Sequence, residues 1–413
     1  MKIGIVGGGI TGLSLAYYLR KNRDNEITIF DKHVGGLLGT YRIGSYNIER
    51  YYHHFFMVDK YLINLINELG FGGKVVKNVS RIGFFVNKKT YSFTTPLDLL
   101  KFKPLSIADR LRFGFLVIYF KLLKDYSRLV NISARDYLIK HTSRAIYETI
   151  WRPLLRIKFG EYADEISAAF IYGRVHPRAR SRQSGREVIS YLIGSTKVLV
   201  DALVDRLKSR NVKFINKDVR AIKEGIVVAG KNYKFDKIIA TVPTEIFLKL
   251  TGIKYNIKYQ AVVCMLLRMR RPLSNIYWMN INDGRIPFGG VIEHTNFISK
   301  KYYDNENLAY IFNYTKSDSK IYKMSDKRLF NFYMNGLKLM FPFFKESDVI
   351  NYYVSRNKYA TPVYKTGYKK PSFETKIRNI YMVNTSQIFP DDRNMNNSIK
   401  LAKRFVEHFY SKV

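Results

Sequence analysis

Several residues of this chain have types and spacings that could do chemistry, and the first of them are glycines. Gly7, Gly9 and Gly12 stand in the order Gly-x-Gly-x-x-Gly within IVGGGITGLSL. In such a run the first glycine permits a tight turn, the second lets the backbone approach a pyrophosphate, and the third lets a helix pack closely on a strand. The helix that opens here, with Ile10 and Thr11 in its first turn, directs unpaired N–H groups and a positive dipole end at those phosphates. Asp31, about twenty residues further on and followed by Lys32, is placed to accept hydrogen bonds from a ribose. A second group is the pair His53–His54 in RYYHHFF, where an imidazole could orient a ring or shuttle a proton; the plainer alternative is one histidine buried among aromatics and the other capping a turn. No Cys or acidic ligand lies at zinc spacing around them, so no metal site is expected. A third group is the segment 172–187, which holds Arg174, Arg178, Arg180, Arg182 and Arg186. Such a cluster could clamp a diphosphate or carboxylates bidentately, or it could be a solvated loop in an already basic protein.

The elements that must position these residues are legible around them. The apolar run of the opening MKIGIVGGGITGLSLAYYL is interrupted by glycines and passes straight into YYLRKNRDNEITIFDK, so a secretory signal is not expected. A strand over 2–6, a helix over about 11–21 and a strand over 26–30 fit better. Together with the glycines and Asp31 they form a dinucleotide site. No run reaches the roughly 20 apolar residues of a membrane span; GFLVIYF at 114–120 is short and flanked by Arg112 and Lys121.

Composition bounds the rest. The 413 residues exceed what one hydrophobic core usually serves, so two domains are expected. With 70 Lys and Arg against 33 Asp and Glu, the formal charge is +37, which attracts anions: nucleic acid, acidic headgroups, phosphorylated molecules or an acidic partner. The basic residues are spread along the chain, in company with many Tyr, Ile, Lys and Asn, so part of the charge reflects composition rather than function. The single cysteine, Cys264, in the apolar run AVVCMLL, excludes a disulfide framework and reads as a buried thiol in a reducing, cytoplasmic setting.

After Asp31 comes KHVGGLLGTY, whose Gly35–Gly36 pair resembles the second phosphate-binding motif of the FAD-binding superfamily of amine oxidases, protoporphyrinogen oxidase, phytoene desaturases and UDP-galactopyranose mutase. The resemblance implies FAD as the cofactor, with Gly36 and Leu37 beside it; where many members carry an Arg after the pair, this chain has Leu37, Leu38 and Gly39. FINKDVRAIKEGIVVAGKNYKFDKIIATVP, 214–243, is similar to the segment that meets the adenine near Val219 and returns beside the cofactor near Thr241. NIYMVNTSQIFPDDRNMNNSIKLAKRFVEHFY is similar to the C-terminal strand, loop and helix, the helix beginning near 396 and aimed at the flavin pyrimidine. That similarity implies ribitol or pyrophosphate contacts for Asp392 and Arg393, and backbone donors at Asn396 and Asn397. IERYYHHFF, PLLRIKFGEYADEISAAFI, YATPVYKTGY and NTSQIFPDDR resemble blocks of the protoporphyrinogen oxidase-like branch. They imply a place for His53 and His54 near the isoalloxazine, His54 being favoured because it precedes Phe55–Phe56. They also place Tyr359, Pro362, Tyr364 and Tyr368 where the superfamily often brings aromatics to the flavin face. Arg174, Arg178, Tyr359 and Tyr364 are the expected substrate contacts, while Trp151 and Trp278 read as core or surface.

The expected fold is α/β: a Rossmann-like FAD-binding domain made of 1–95, 186–245 and 375–413. A substrate domain of α+β type is inserted in it, helical over 96–185 and an antiparallel or mixed sheet over 246–374. ADRLRFGFLVIYFKLLKDY carries Leu111, Phe115, Ile118 and Leu122 at helical spacing. The expected function is oxidation of a C–H or C–N bond of an extended or cyclic small molecule by FAD. The alternatives are a UDP-galactopyranose mutase-like isomerase acting on a sugar nucleotide, and a flavin-binding scaffold without catalysis. Peripheral contact with an acidic membrane surface, through basic surface and helices such as 110–126, is a further expectation. Nucleic acid is not expected, because no recognised module accompanies the charge.

Overall fold

The structure, a computed structural model, describes residues 1–183 and 185–411; residue 184, within the expected segment 96–185, and 412–413, the end of the segment 375–413, lie outside the described residues. Among the described residues a five-stranded parallel sheet has the order Lys213–Ile215, Glu26–Phe30, Lys2–Val6, Lys237–Ala240, Ile380–Met382. Its strands are short and apolar because both faces are covered. Side chains alternate across the sheet: Ile3, Ile5, Ile27, Ile29 and Ile239 meet the helices Ile10–Leu19, Thr196–Lys208 and Met395–Tyr410. Phe30, Ile238 and Ala240 turn to the opposite side, toward Val227 and Phe247. Strands from the three expected segments thus complete a single sheet.

The second sheet is seven-stranded among the described residues, in the order Val349–Pro362, Tyr259–Met269, Asn307–Thr315, Gly290–Glu293, Trp278–Asn282, Ile82–Val86, Lys89–Ser92. Neighbours run antiparallel except Trp278–Asn282 beside Ile82–Val86, which run parallel. Residues 82–92, expected with the first segment, therefore pair into the sheet of the second. The helix Asp326–Met340 covers one face of this sheet, through Leu329, Tyr333 and Leu337 packed on Val263, Met265 and Met279.

Residues 96–180 form mainly helices, including Ile107–Leu122, Arg152–Phe159 and Ala168–Arg180. Ala168–Arg180 lies tight against the C-terminal loop, where a Cβ at Gly173 would come within 2.1 Å of the Pro390 carbonyl oxygen. A side chain there would push Arg174 away from Asp392. A strand Arg186–Leu192 pairs with Phe55–Phe56 and with Val75–Val79, and so anchors the chain just after the two histidines.

Candidate active site

These elements enclose a cavity of about 710 Å³, within the range of about 300–1,000 Å³ usual for ligand sites. It runs from the carboxyl ends of the parallel strands, at Gly7, Asp31 and Thr241, to the open face of the seven-stranded sheet. Its two ends are built differently.

At the first end the wall is largely backbone. The helix Ile10–Leu19 starts at Gly9 with no side chain capping it and no acid in its first turn, so its first N–H groups stay open for an anion. A Cβ on Gly9 would meet nothing within 4 Å, which leaves room for a ligand, whereas one on Gly12 would sit 1.9 Å from the Gly7 carbonyl oxygen. The Asp31 carboxylate accepts from the Gly8 N–H at 2.6 Å and from the His33 N–H at 2.7 Å, and so shapes the loop it borders. Gly35 N–H donates to the Gly8 carbonyl at 2.9 Å, which ties the second glycine pair to the first loop. Thr241 Oγ1 donates to the Gly7 carbonyl at 2.9 Å. A second helix, Met395–Tyr410, opens on the same cavity. Its cap is Asn394, whose Oδ1 accepts from the Asn397 N–H at 2.8 Å.

At the second end the wall is side chains from the sheet. Trp278 and Asn280, Phe312 and Tyr314, and Asn357 and Tyr359 line it in pairs two residues apart, the spacing that puts both members on one face of a strand. Tyr52 meets Trp278 edge-on at 5.1 Å and Phe312 at 4.8 Å between ring centroids. His54 meets Trp278 edge-on at 5.6 Å between ring centroids, and His53 beside it also lines the cavity. Nδ1 of His53 lies 2.6 Å from the Tyr51 carbonyl and therefore carries the hydrogen, leaving Nε2 as an acceptor. Nδ1 of His54 pairs with the Tyr277 hydroxyl at 3.0 Å. Burial pushes His53 down to about 4, helped by the charge of Arg393. Burial, with Arg178 and His53 nearby, pushes His54 down to about 3. Both imidazoles are neutral at pH 7.

Between the two ends lies a cluster of charge. Asp392 accepts from Lys158 Nζ and from Arg174 Nη1, each at 2.6 Å. Burial opposes ionisation of Asp392, but Lys158, Arg174 and Arg178 overcome it and hold the carboxyl well below the usual range. The triad has two cations for one anion. Burial, reinforced by the charge of Arg174 and partly offset by Asp392, brings Lys158 down to about 7. Arg178 donates from Nη1 to the Arg174 carbonyl at 2.8 Å and lies over the Phe56 ring. Among the described residues no carboxylate comes within ion-pair distance of it. Nε of Arg393 is buried on the cavity wall without a hydrogen-bond partner, an arrangement proteins rarely leave unfilled.

The residues singled out in the sequence fall into two sets. Gly7, Gly9, Ile10, Thr11, Asp31, Gly36, Leu37, Thr241, Asp392, Arg393, Asn396 and Asn397 line the cavity, as do His53, His54, Arg174, Arg178 and Tyr359. Asp392 spends both carboxylate oxygens on Lys158 and Arg174. The Asn396 side chain accepts from the N–H groups of Tyr61 and Leu62, so only its backbone is left for a ligand. Gly12 is buried behind the wall. Lys32, Val219 and Tyr364 do not border the cavity: Lys32 is exposed and paired with Asp218, Val219 packs on the core beneath the parallel sheet, and Tyr364 is buried among the helices with its hydroxyl donating to the Thr385 carbonyl. Lys158, Asn280, Phe312, Tyr314 and Asn357 reach the site unannounced, and Trp278, read as core or surface, stands on its wall. The period-two pairs in WMN, FNY and NKY were the signal available for them.

These features fit FAD. Two helix starts and the glycine loop suit the phosphates, the Arg393 donor awaits an acceptor, and the aromatic wall suits a flat ring. The family model for flavin containing amine oxidoreductase matches residues 10–386. Coproporphyrinogen III oxidase of Staphylococcus aureus (strain NCTC 8325 / PS 47) is 23% identical over 304 residues, covering 60% of this chain and 62% of that protein. The chain thus spans less than two thirds of the length of the curated relatives it matches. In fold it is similar to a protein of Exiguobacterium sp. 255-15 provisionally described as a protoporphyrinogen oxidase, with TM-score 0.79, 19% identity and coverage of 100% of this chain and 99% of that one. It is also similar to reduced UDP-galactopyranose mutase, with TM-score 0.77, 16% identity and coverage of 100% and 94%.

Proposed function

The chain belongs to the flavin containing amine oxidoreductase family; from that premise we propose that it is an FAD-dependent oxidoreductase that oxidises a C–H or C–N bond of an extended or cyclic organic acid. One observation carries the reading: a single cavity joins a backbone-built phosphate end to an aromatic wall, and between them stands Arg178, which among the described residues has no carboxylate within ion-pair distance. Gly7, Gly9, Ile10, Thr11, Gly36, Leu37 and the start of the helix Met395–Tyr410 would hold the cofactor's phosphates and pyrimidine edge. When bound, FAD supplies the acceptor for a hydride.

The chain's own residues would do the rest. Trp278, Phe312 and Tyr314 flatten the substrate against the wall and exclude water. Arg178, with Arg174 behind it, takes a carboxylate or phosphate of the substrate. As the substrate C–H bond breaks, its electron pair leaves with the hydride, and a proton leaves the neighbouring atom as the double bond forms. Nε2 of His53, neutral and unoccupied by its own hydrogen, accepts a hydrogen bond there and passes the proton to solvent. The same reading extends to partners and place: a small organic molecule in the cavity, an acidic membrane surface as a peripheral contact for so basic a chain, and a cytoplasmic setting that suits the buried free Cys264.

The test is anaerobic reduction of the bound flavin, followed in the visible spectrum. Coproporphyrinogen III, named by the Staphylococcus relative, is the first donor, followed by other acid-bearing donors. Bleaching with one of them supports the reading. If all fail, and the dithionite-reduced protein instead converts UDP-galactopyranose to the furanose, the Arg cluster serves a diphosphate and the isomerase reading replaces this one. If the flavin never changes redox state, a scaffold remains.

A further inference from the structure

We propose that the outer face of the helix Ile107–Leu122 is a docking surface for an anionic lipid bilayer. The helix is apolar on two sides. Phe113, Leu116 and Phe120 are buried toward Ala168–Arg180. Ile107, Leu111, Phe115, Ile118 and Leu122, recurring at intervals of three and four, form a ridge on the outside with exposures of 69, 50, 69, 55 and 70%. Leu97 and Leu100, on the short helix Pro96–Leu100 just before it, are exposed at 57 and 47%. A contiguous apolar ridge of this extent on an otherwise charged surface marks an interaction site.

Charge decides the occupant. Lys101, Lys103, Arg112, Lys121, Lys124 and Arg128 are exposed around the ridge. The acids of the segment are engaged locally: Asp98 accepts from the N–H groups of Thr94 and Thr95, Asp109 from Ser106 and Arg112, and Asp125 from Ser127. An apolar ridge rimmed by exposed cations, of which among the described residues Arg112 alone is seen paired, with Asp109, matches the boundary between acyl chains and acidic headgroups, where the ridge inserts and the rim meets phosphate. No helix among the described residues is long and apolar enough to cross a membrane, so this one would lie in the plane. Tyr172 and His176, both lining the cavity, bond to its final turns: the Tyr172 hydroxyl donates to the Leu123 carbonyl at 3.2 Å and His176 Nδ1 pairs with the Phe120 carbonyl at 2.9 Å. The docked face thus backs directly onto a wall of the active site, and a membrane-dissolved substrate would be presented beside it. The surface stands independently of the redox reading, since vesicle binding needs no turnover.

The test is cosedimentation of the full, FAD-loaded chain with vesicles of pure phosphatidylcholine or of phosphatidylcholine with a quarter phosphatidylglycerol. The wild type binds the anionic vesicles at low salt and is released by high salt. Leu111→Gln/Phe115→Gln/Leu122→Gln binds them roughly a hundredfold more weakly, and Lys121→Gln/Lys124→Gln several-fold more weakly, both with the flavin spectrum intact. Wild type that ignores anionic vesicles at low salt overturns the proposal, as does a triple glutamine variant that binds like wild type. A wild-type dimer that the triple variant dissociates would assign the ridge to a second copy instead.

Discussion

The two ends of the cavity solve recognition in opposite ways. At the glycine end the ligand-facing groups are main-chain N–H donors at two helix starts, and side chains such as Thr241 and Asp31 only brace the loop. At the sheet end the wall is side chains gathered from distant strands, with charges set by each other rather than by the backbone. A backbone site tolerates almost no change in residue size and reads a constant ligand. A side-chain site tolerates substitution and reads a variable one. That division suits a fixed cofactor and a substrate that differs among relatives.

The sharpest way to break the comparison is Gly12→Ala. Its Cβ would fall 1.9 Å from the Gly7 carbonyl oxygen, so the phosphate loop must move and FAD binding should be abolished, read from a colourless product and failed FAD titration. Next comes Asp392→Asn, which leaves Lys158 and Arg174 as buried cations without their anion. Chemical denaturation should show a loss of about 3 kcal/mol. The sign with pH follows from the depressed folded value of Asp392: its stabilisation is present above the ordinary carboxylate value of 3.8 and is lost as pH falls below it. The variant should lack that dependence.

Arg178→Gln should lower kcat/KM for an acid-bearing donor by about 10- to 100-fold while FAD affinity stays unchanged; equal loss of both would merge the two ends. Lys158 sharpens the same end through pH. Because it loses its proton near 7, affinity for an anionic ligand should fall several-fold as pH rises through that value, and Lys158→Gln should flatten the profile. The smallest effect is expected from Lys32→Ala. Its ion pair with Asp218 is exposed at 56 and 71%, so FAD affinity should stay within about twofold of wild type.

The same division explains what was legible in the sequence. Gly7, Gly9 and Gly12 announce themselves because close backbone approach admits one residue type, and strand, helix and acid follow in fixed order around them. Lys32 follows Asp31 but is exposed and paired with Asp218, and the Val219 side chain packs on the core, which leaves only its backbone for a cofactor. Tyr364 lies past the end of the strand Val349–Pro362 and sinks into the helical core. Lys158 was hidden because its role depends on Asp392, more than two hundred residues away. The sheet wall was half visible, since period two places Phe312 and Tyr314 on one face but does not say which face meets the cavity. Helical spacing likewise found Leu111, Phe115, Ile118 and Leu122, but Phe113, Leu116 and Phe120 repeat at the same spacing, and only packing decides which ridge is left outside.

The decisive measurement is a calorimetric titration of FAD into cofactor-free wild type and into Arg178→Gln/His54→Gln. If cofactor grip resides in main-chain groups at the glycine end, both proteins bind with equal affinity, about micromolar or tighter. Failure of the wild type to take up FAD, or a double variant as impaired as Gly12→Ala, would contradict that picture.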